Sequence, residues 1–116
     1  MNRRTRGADG EQQACSYLES RGYEVLARNF RTRWGEVDLV ARKGARLAFV
    51  EVKNWASYQA DSLEYAIGTR KRRRIVDVSR RYLQAHPQPE DIRIAYDVIL
   101  LGEARIRHIE DAFPGV

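Results

Sequence analysis

Residues 35–55 read GEVDLVARKGARLAFVEVKNW, two short apolar runs that meet at Lys43-Gly44. Successive side chains of a strand point to opposite faces. Val37, Leu39 and Ala41 therefore share one face, and Ala48, Val50 and Val52 continue it on the next strand. That face is wholly apolar and must be covered. The other face carries Glu36, Asp38 and Val40 on one strand, and Leu47, Phe49, Glu51 and Lys53 on its partner. Near the turn both faces are apolar, while the charges gather at the far end, which is the pattern of a pocket at the edge of a core. A turn centred on Lys43-Gly44 sets Glu36 opposite Glu51, with Asp38 diagonal to it. A slightly longer turn sets Asp38 directly opposite Glu51. Carboxylates converge in both registers.

The neighbouring segments supply the cover. Residues 8–21 carry Ala14, Cys15 and Leu18 at helical spacing, and Arg21-Gly22 ends the pattern. YEVLARNF, residues 23–30, alternates as a first strand. A helical turn is predicted over residues 63–67. Thr69 is a good N-cap for a second helix running to about Gln84, whose buried stripe is Ile75, Val78, Ser79, Tyr82 and Leu83. IRIAYDVILL (92–101) is a strong strand, Gly102 starts a turn, and ARIRHIEDAF (104–113) predicts a last strand with a short tail. The predicted order is α-β-β-β-α-β-β, an α/β fold with helices beside a mixed sheet.

At 116 residues, 43% hydrophobic and 32% charged, the chain reads as one folded domain over residues 1–116, with residues 1–7 as a flexible basic arm carrying Arg3, Arg4 and Arg6. Its 21 Lys and Arg against 16 Asp and Glu, a net charge of +5, favour a polyanionic partner. The excess is uneven, since RKRRRIVDVSRR (70–81) holds seven of the 21 basic residues and one acid. Cys15, the single cysteine, cannot form an internal disulfide and reads as a small residue on a buried helix stripe. There is no apolar leader after the basic start and no run of membrane-spanning length, so the expected location is the cytoplasm.

The converging charges carry chemistry. Carboxylates a few ångströms apart repel, and burial raises their pKa unless a cation joins them. Lys53, two residues from Glu51 on the same face, offsets one negative charge. The rest favours a hard divalent cation, Mg²⁺ or Mn²⁺, over zinc, because His86 and His108 are the only histidines and form no Cys/His ligand cluster. Two acids and an ammonium aimed at one spot are the parts needed to hydrolyse a phosphodiester. The bland alternative is a hairpin with one solvated face.

Asp38, then Glu51-Val52-Lys53 on the adjacent strand, resembles the D-(x)n-E-x-K core of the PD-(D/E)XK nuclease superfamily. Nearly the whole chain is similar to the YraN family of bacterial proteins, a predicted nuclease group related to archaeal Holliday-junction resolvases. The similarity is carried by GEQQACSYLESRGYEVLARNFRTRWGEVDLV, FVEVKNW, AIGTRKRRRI, YDVILL and IRHIEDAF. The resemblance implies a restriction endonuclease-like core. It also implies a Mg²⁺ site held by Asp38, Glu51 and the Val52 carbonyl, Lys53 as the catalytic lysine, and Glu11 completing the site from the first helix. Branched or junction DNA is the substrate it suggests, and a homodimer the assembly. Two departures, Gly68-Thr69 in place of the usual proline region and a loop without the usual Phe-Gly pair, touch loop geometry and leave the metal residues in place.

Around this core, Glu36 either joins the metal site or pairs with Arg31 or Arg33. The basic run Arg70, Lys71, Arg72, Arg73 and Arg74 lies where the helix dipole disfavours cations, and phosphate contact would compensate, with Lys71 and Arg72 foremost. Trp34, Trp55 and Tyr58 either stack on bases or wall a core edge. His108 reads as a locally bonded strand-end residue, and Asp97 as structural, paired with an arginine or capping its strand. The leading expectation is a metal-dependent DNA endonuclease. Its rivals are a non-catalytic DNA-binding module on the same fold and a hydrolase acting on RNA or nucleotides.

Overall fold

The computed structural model describes residues 3–54 and 67–115, without the side chains of 3–8. The elements are α1 (Arg3–Ser20), β1 (Glu24–Thr32), β2 (Gly35–Lys43), β3 (Arg46–Asn54), α2 (Thr69–Ala85), β4 (Arg93–Leu101) and β5 (Ile106–Ile109), in the expected order. They build one five-stranded sheet ordered β1-β2-β3-β4-β5. Its pairs are antiparallel except β3–β4, which is parallel, so the connection through α2 has to cross the sheet.

The two helices cover opposite faces. Ala14, Cys15 and Leu18 of α1 pack with Leu39, Ala41, Ala48, Val50, Ala95 and Ile99. Ile75, Val76, Val78 and Tyr82 of α2 pack with Val40, Leu47, Phe49, Tyr96, Val98 and Leu100. The central strand β3 is thus buried on both sides from Leu47 to Glu51, which is why its sequence is a nearly unbroken apolar run.

Several boundaries differ from the sequence-based expectation. Helix α1 begins at Arg3 rather than residue 8, and closes with Tyr23 N–H bonded to the Leu18 carbonyl and Gly22 N–H to that of Glu19, each 3.0 Å. The N-cap of α2 is Gly68 with no side-chain cap bond; Thr69 already lies inside the helix. The last strand shrinks to Ile106–Ile109, while Phe113 of the tail enters the core. Of the turn expected over 63–67, residues 63–66 fall outside the described residues, as do Trp55 and Tyr58.

The β2–β3 turn settles the register. Lys43 pairs with Arg46 across a two-residue loop led by Gly44 at φ 58, and the ladder runs on to Leu39–Val50. This is the register expected of the second candidate turn, reached by centring the two-residue loop on Gly44-Ala45, and it brings Asp38 abreast of Glu51. Val37 departs from the expected alternation: it packs with Val40 on the α2 side instead of with Leu39. The same happens on β1, where Ala27 and Phe30 both face α2. The pairs Arg28–Leu39 and Phe30–Val37 flank one rung, Asn29 beside Asp38, and Asn29 has φ 51. A left-handed residue in mid-strand rotates the backbone, and this kink lies at the rung that carries Asp38.

Candidate active site

The kinked rung opens onto a pocket of about 580 Å³ at the carboxyl ends of β3 and β4, where open α/β sheets characteristically bind ligands. Asp9, Gly10, Glu11 and Gln13 of α1 form one wall, Asp38, Glu51, Val52, Lys53 and Asn54 another, and Leu101, Gly102 and Glu103 the third. Gly10 lets α1 come this close, since a Cβ there would lie 3.3 Å from Leu101 Cδ1. Among the described lining residues the acids Asp9, Glu11, Asp38, Glu51 and Glu103 face the cation Lys53, in a protein whose net charge is +5.

Three of the carboxylates are held. Asp38 Oδ2 accepts the Val52 N–H at 2.8 Å, linking β2 to β3 beyond the last backbone rung. Glu51 is 5% exposed, and its Oε1 receives Lys71 Nζ at 2.7 Å and Lys53 Nζ at 3.7 Å. Glu11 Oε2 accepts Asn29 Nδ2 at 2.8 Å, so the residue that kinks β1 also positions the helix acid.

Burial, then repulsion from Glu51, pushes Asp38 up to about 7; the Val52 N–H and Lys71 pull the other way, and Glu11 adds to the rise. Burial and the neighbouring ammonium of Lys71 hold Lys53 below the usual lysine value, against the attraction of Glu51 and Asp38. Burial alone would lower Lys71, but its bond to Glu51 leads the interactions that leave it raised. A carboxylate pair strained by its own charge, beside a lysine relieved of part of its proton affinity, is a site poised to receive positive charge.

The donor set fits Mg²⁺ or Mn²⁺. Asp38 and Glu51 offer hard oxygens, Val52 lines the same pocket, and Mg²⁺ commonly takes one or two carboxylates while keeping its remaining ligands as water or phosphate. Among the described residues no group of three or more His, Cys, Asp or Glu side chains is arranged to hold an ion. A cation here would rest on the carboxylate pair with the Val52 carbonyl, and Glu11 would act from the wall.

Other expected residues lie elsewhere. Glu36 is outside the pocket, paired with Arg31 at 2.7 Å. Asp97 is fully buried, bound by Arg46 at 2.7 and 2.8 Å, by His108 Nε2 at 2.7 Å and by the Asp111 N–H at 2.9 Å. Despite burial, those bonds hold its carboxyl below the usual range, so His108 and Asp97 form a structural knot that ties β3, β4 and β5. Of the basic run, Arg70, Arg73 and Arg74 are exposed. Arg72 donates to the Ile67 carbonyl at 2.8 Å and lies 5.6 Å from the Phe113 ring centroid. Lys71 belongs to the acidic pocket, a role that sequence reasoning missed; the signal was its place on the flank of the buried stripe rather than on the outer face. Asn29 was missed too, although an asparagine inside an alternating strand marks a residue able to adopt positive φ.

Among the described residues, no helix is long and apolar enough to cross a membrane. The model of a family described as "Uncharacterised protein family UPF0102" matches residues 10–101. The chain is 42% identical over 108 residues to a UPF0102 protein of Rhodopseudomonas palustris (strain BisB18), covering 92% of this chain and 78% of that one. It is 40% identical over 113 residues to a UPF0102 protein of Lachnoclostridium phytofermentans, covering 97% and 96%. A Nitrobacter winogradskyi UPF0102 protein is 41% identical over 108 residues, covering 92% and 90%.

Proposed function

The chain belongs to the uncharacterised family UPF0102, the YraN family, and from its site we propose a metal-dependent DNA endonuclease that hydrolyses phosphodiester bonds, with branched or junction DNA as the substrate. The observation that carries this reading is the meeting of Asp38, Glu51 and Lys53, from two adjoining strands, in one pocket at the carboxyl end of the sheet. Asp38 and Glu51, with the Val52 carbonyl, would hold Mg²⁺ or Mn²⁺. Such an ion, when bound, polarises the phosphate and favours attack by water. Lys53, whose lowered pKa eases proton exchange, orients the attacking water or meets the charge that develops on the phosphate oxygens. Glu11, fixed by Asn29, faces the same space and can hydrogen-bond water on the side of α1. Arg70, Arg73 and Arg74, exposed at the start of α2, would hold the nucleic-acid backbone.

One observation favours a second reading. The 2.7 Å bond from Lys71 neutralises Glu51 within the protein itself, as a non-catalytic DNA-binding module on this fold would require. Incubation with labelled junction, flap, linear duplex and single-stranded DNA, and with RNA, in Mn²⁺ or EDTA separates the two. Metal-dependent cutting that Lys53→Ala abolishes while binding persists supports the endonuclease. Tight DNA binding with no cutting of any substrate supports the module, and cutting confined to RNA refutes the DNA assignment.

A further inference from the structure

Trp34, in the turn between β1 and β2, is 44% exposed, a costly place for the largest side chain unless it has work there. Two guanidiniums lie over its ring, Arg33 at 4.6 Å from the centroid and Arg81 of α2 at 4.1 Å. Each such contact contributes about 0.5–1 kcal/mol at an exposed site. The indole therefore gathers two like charges, from separate elements, that would otherwise repel. Arg74 borders the same turn, its Cβ 3.6 Å from where a Gly35 Cβ would sit. Among the described residues none of Arg33, Arg74 and Arg81 has a carboxylate partner; the nearby acids are engaged, Glu36 by Arg31 and Asp77 by Arg80. Cations held together without a counter-charge call for an external anion.

We propose that Arg33, Arg81 and Arg74, ordered on Trp34 and the β1–β2 turn, form a shelf for the phosphate backbone of duplex nucleic acid leaving the acidic pocket. The choice of duplex phosphate rests on the nuclease reading; the shelf itself rests on the Trp34 geometry. Lys71, in contact with Glu51, marks the pocket end of α2, and Arg81 lies ten residues further along the helix. At 1.5 Å per residue this is about 15 Å, some four base-pair rises of about 3.4 Å. The guanidinium fork suits phosphate oxygens, and side chains already fixed on an indole lose less entropy on binding. Trp34 thus acts as a positioning residue, holding cations in place rather than offering a bare face to a base.

The test is anisotropy of a short labelled duplex, titrated with protein in EDTA over a range of salt. Each lost phosphate contact lowers the slope of log K against log salt by about 0.9 on duplex DNA. The Arg33→Gln/Arg81→Gln pair should flatten the slope by about 1.8, on that same per-contact value. Trp34→Leu, which removes no charge, should weaken binding several-fold, and Lys43→Gln at the far hairpin turn should change nothing. An unchanged slope in the arginine pair, no duplex binding by the wild type, tighter binding of single strands, or equal competition by polyglutamate would each overturn the proposal. The readout is binding without metal, so a protein that binds in this way but never cuts fails the nuclease reading and leaves the shelf standing.

Discussion

Replacing Asp38 by asparagine should stabilise the protein, and only above a certain pH. Asp38 ionises near 3.8 in the unfolded chain and near 7 when folded, raised by burial and by Glu51. Between those values the folded state holds a proton that the unfolded state has released, so stability falls as pH rises through the window and levels off above about 7. Roughly three pKa units at about 1.36 kcal/mol each give an upper bound near 4 kcal/mol, and relaxation around the pocket would reduce it to about 2. Asparagine keeps the acceptor for the Val52 N–H and carries no charge. The assay is urea unfolding of wild type and Asp38→Asn in metal-free buffer from pH 4 to pH 8. The two should coincide near pH 4 and diverge to about 2–4 kcal/mol in favour of the variant at pH 8. Curves that stay parallel across the whole range would refute the claim that Asp38 carries uncompensated charge.

Lys71→Met should cost about 1–2 kcal/mol at pH 7 by leaving the buried Glu51 without its nearest ammonium, and added Mn²⁺ should restore more stability to the variant than to the wild type in thermal melts. Asp97→Asn should remove an acid-sensitive component: the carboxyl is held below its usual range, so its contribution is present above about pH 4 and lost as pH falls further, and acid-unfolding curves should show a weaker pH dependence in the variant. Arg46→Met, which leaves Asp97 buried without its bidentate partner, should destabilise by about 3–5 kcal/mol in urea. Asn29→Val should lose about 1–2 kcal/mol because a β-branched residue resists φ 51, whereas Asn29→Gly should keep the fold while releasing Glu11.

The layers of this fold could be read from period alone. Ala14, Cys15 and Leu18 on one helix, and Ile75, Val78, Ser79 and Tyr82 on the other, are buried as their spacing predicts, because a helix stripe is a local property of the chain. The convergence of Asp38 and Glu51 was visible too, but its register was not. Register depends on whether the two-residue turn is centred on Lys43-Gly44 or on Gly44-Ala45, and Lys43-Gly44-Ala45 is compatible with both. Alternation puts Val37 on the wrong face because it assumes an unbroken strand, whereas the left-handed Asn29 rotates the rung next to Val37. The partner of Lys71 lies 20 positions away on another element, and the basic run around Lys71 pointed to phosphate contact rather than to Glu51. Asp97 reads from sequence as structural, paired with an arginine or capping its strand, and the structure selects the arginine. Which arginine would come, Arg46 from 51 positions away, is decided by the parallel pairing of β3 with β4.

The most direct test of the account is calorimetric titration of Mn²⁺ into the wild type, Asp38→Asn and Glu51→Gln at pH 7.5. The account predicts one saturable site in the wild type and its loss in both variants, each still folded by circular dichroism. Equal Mn²⁺ affinity in all three proteins, or no binding by the wild type, would contradict it.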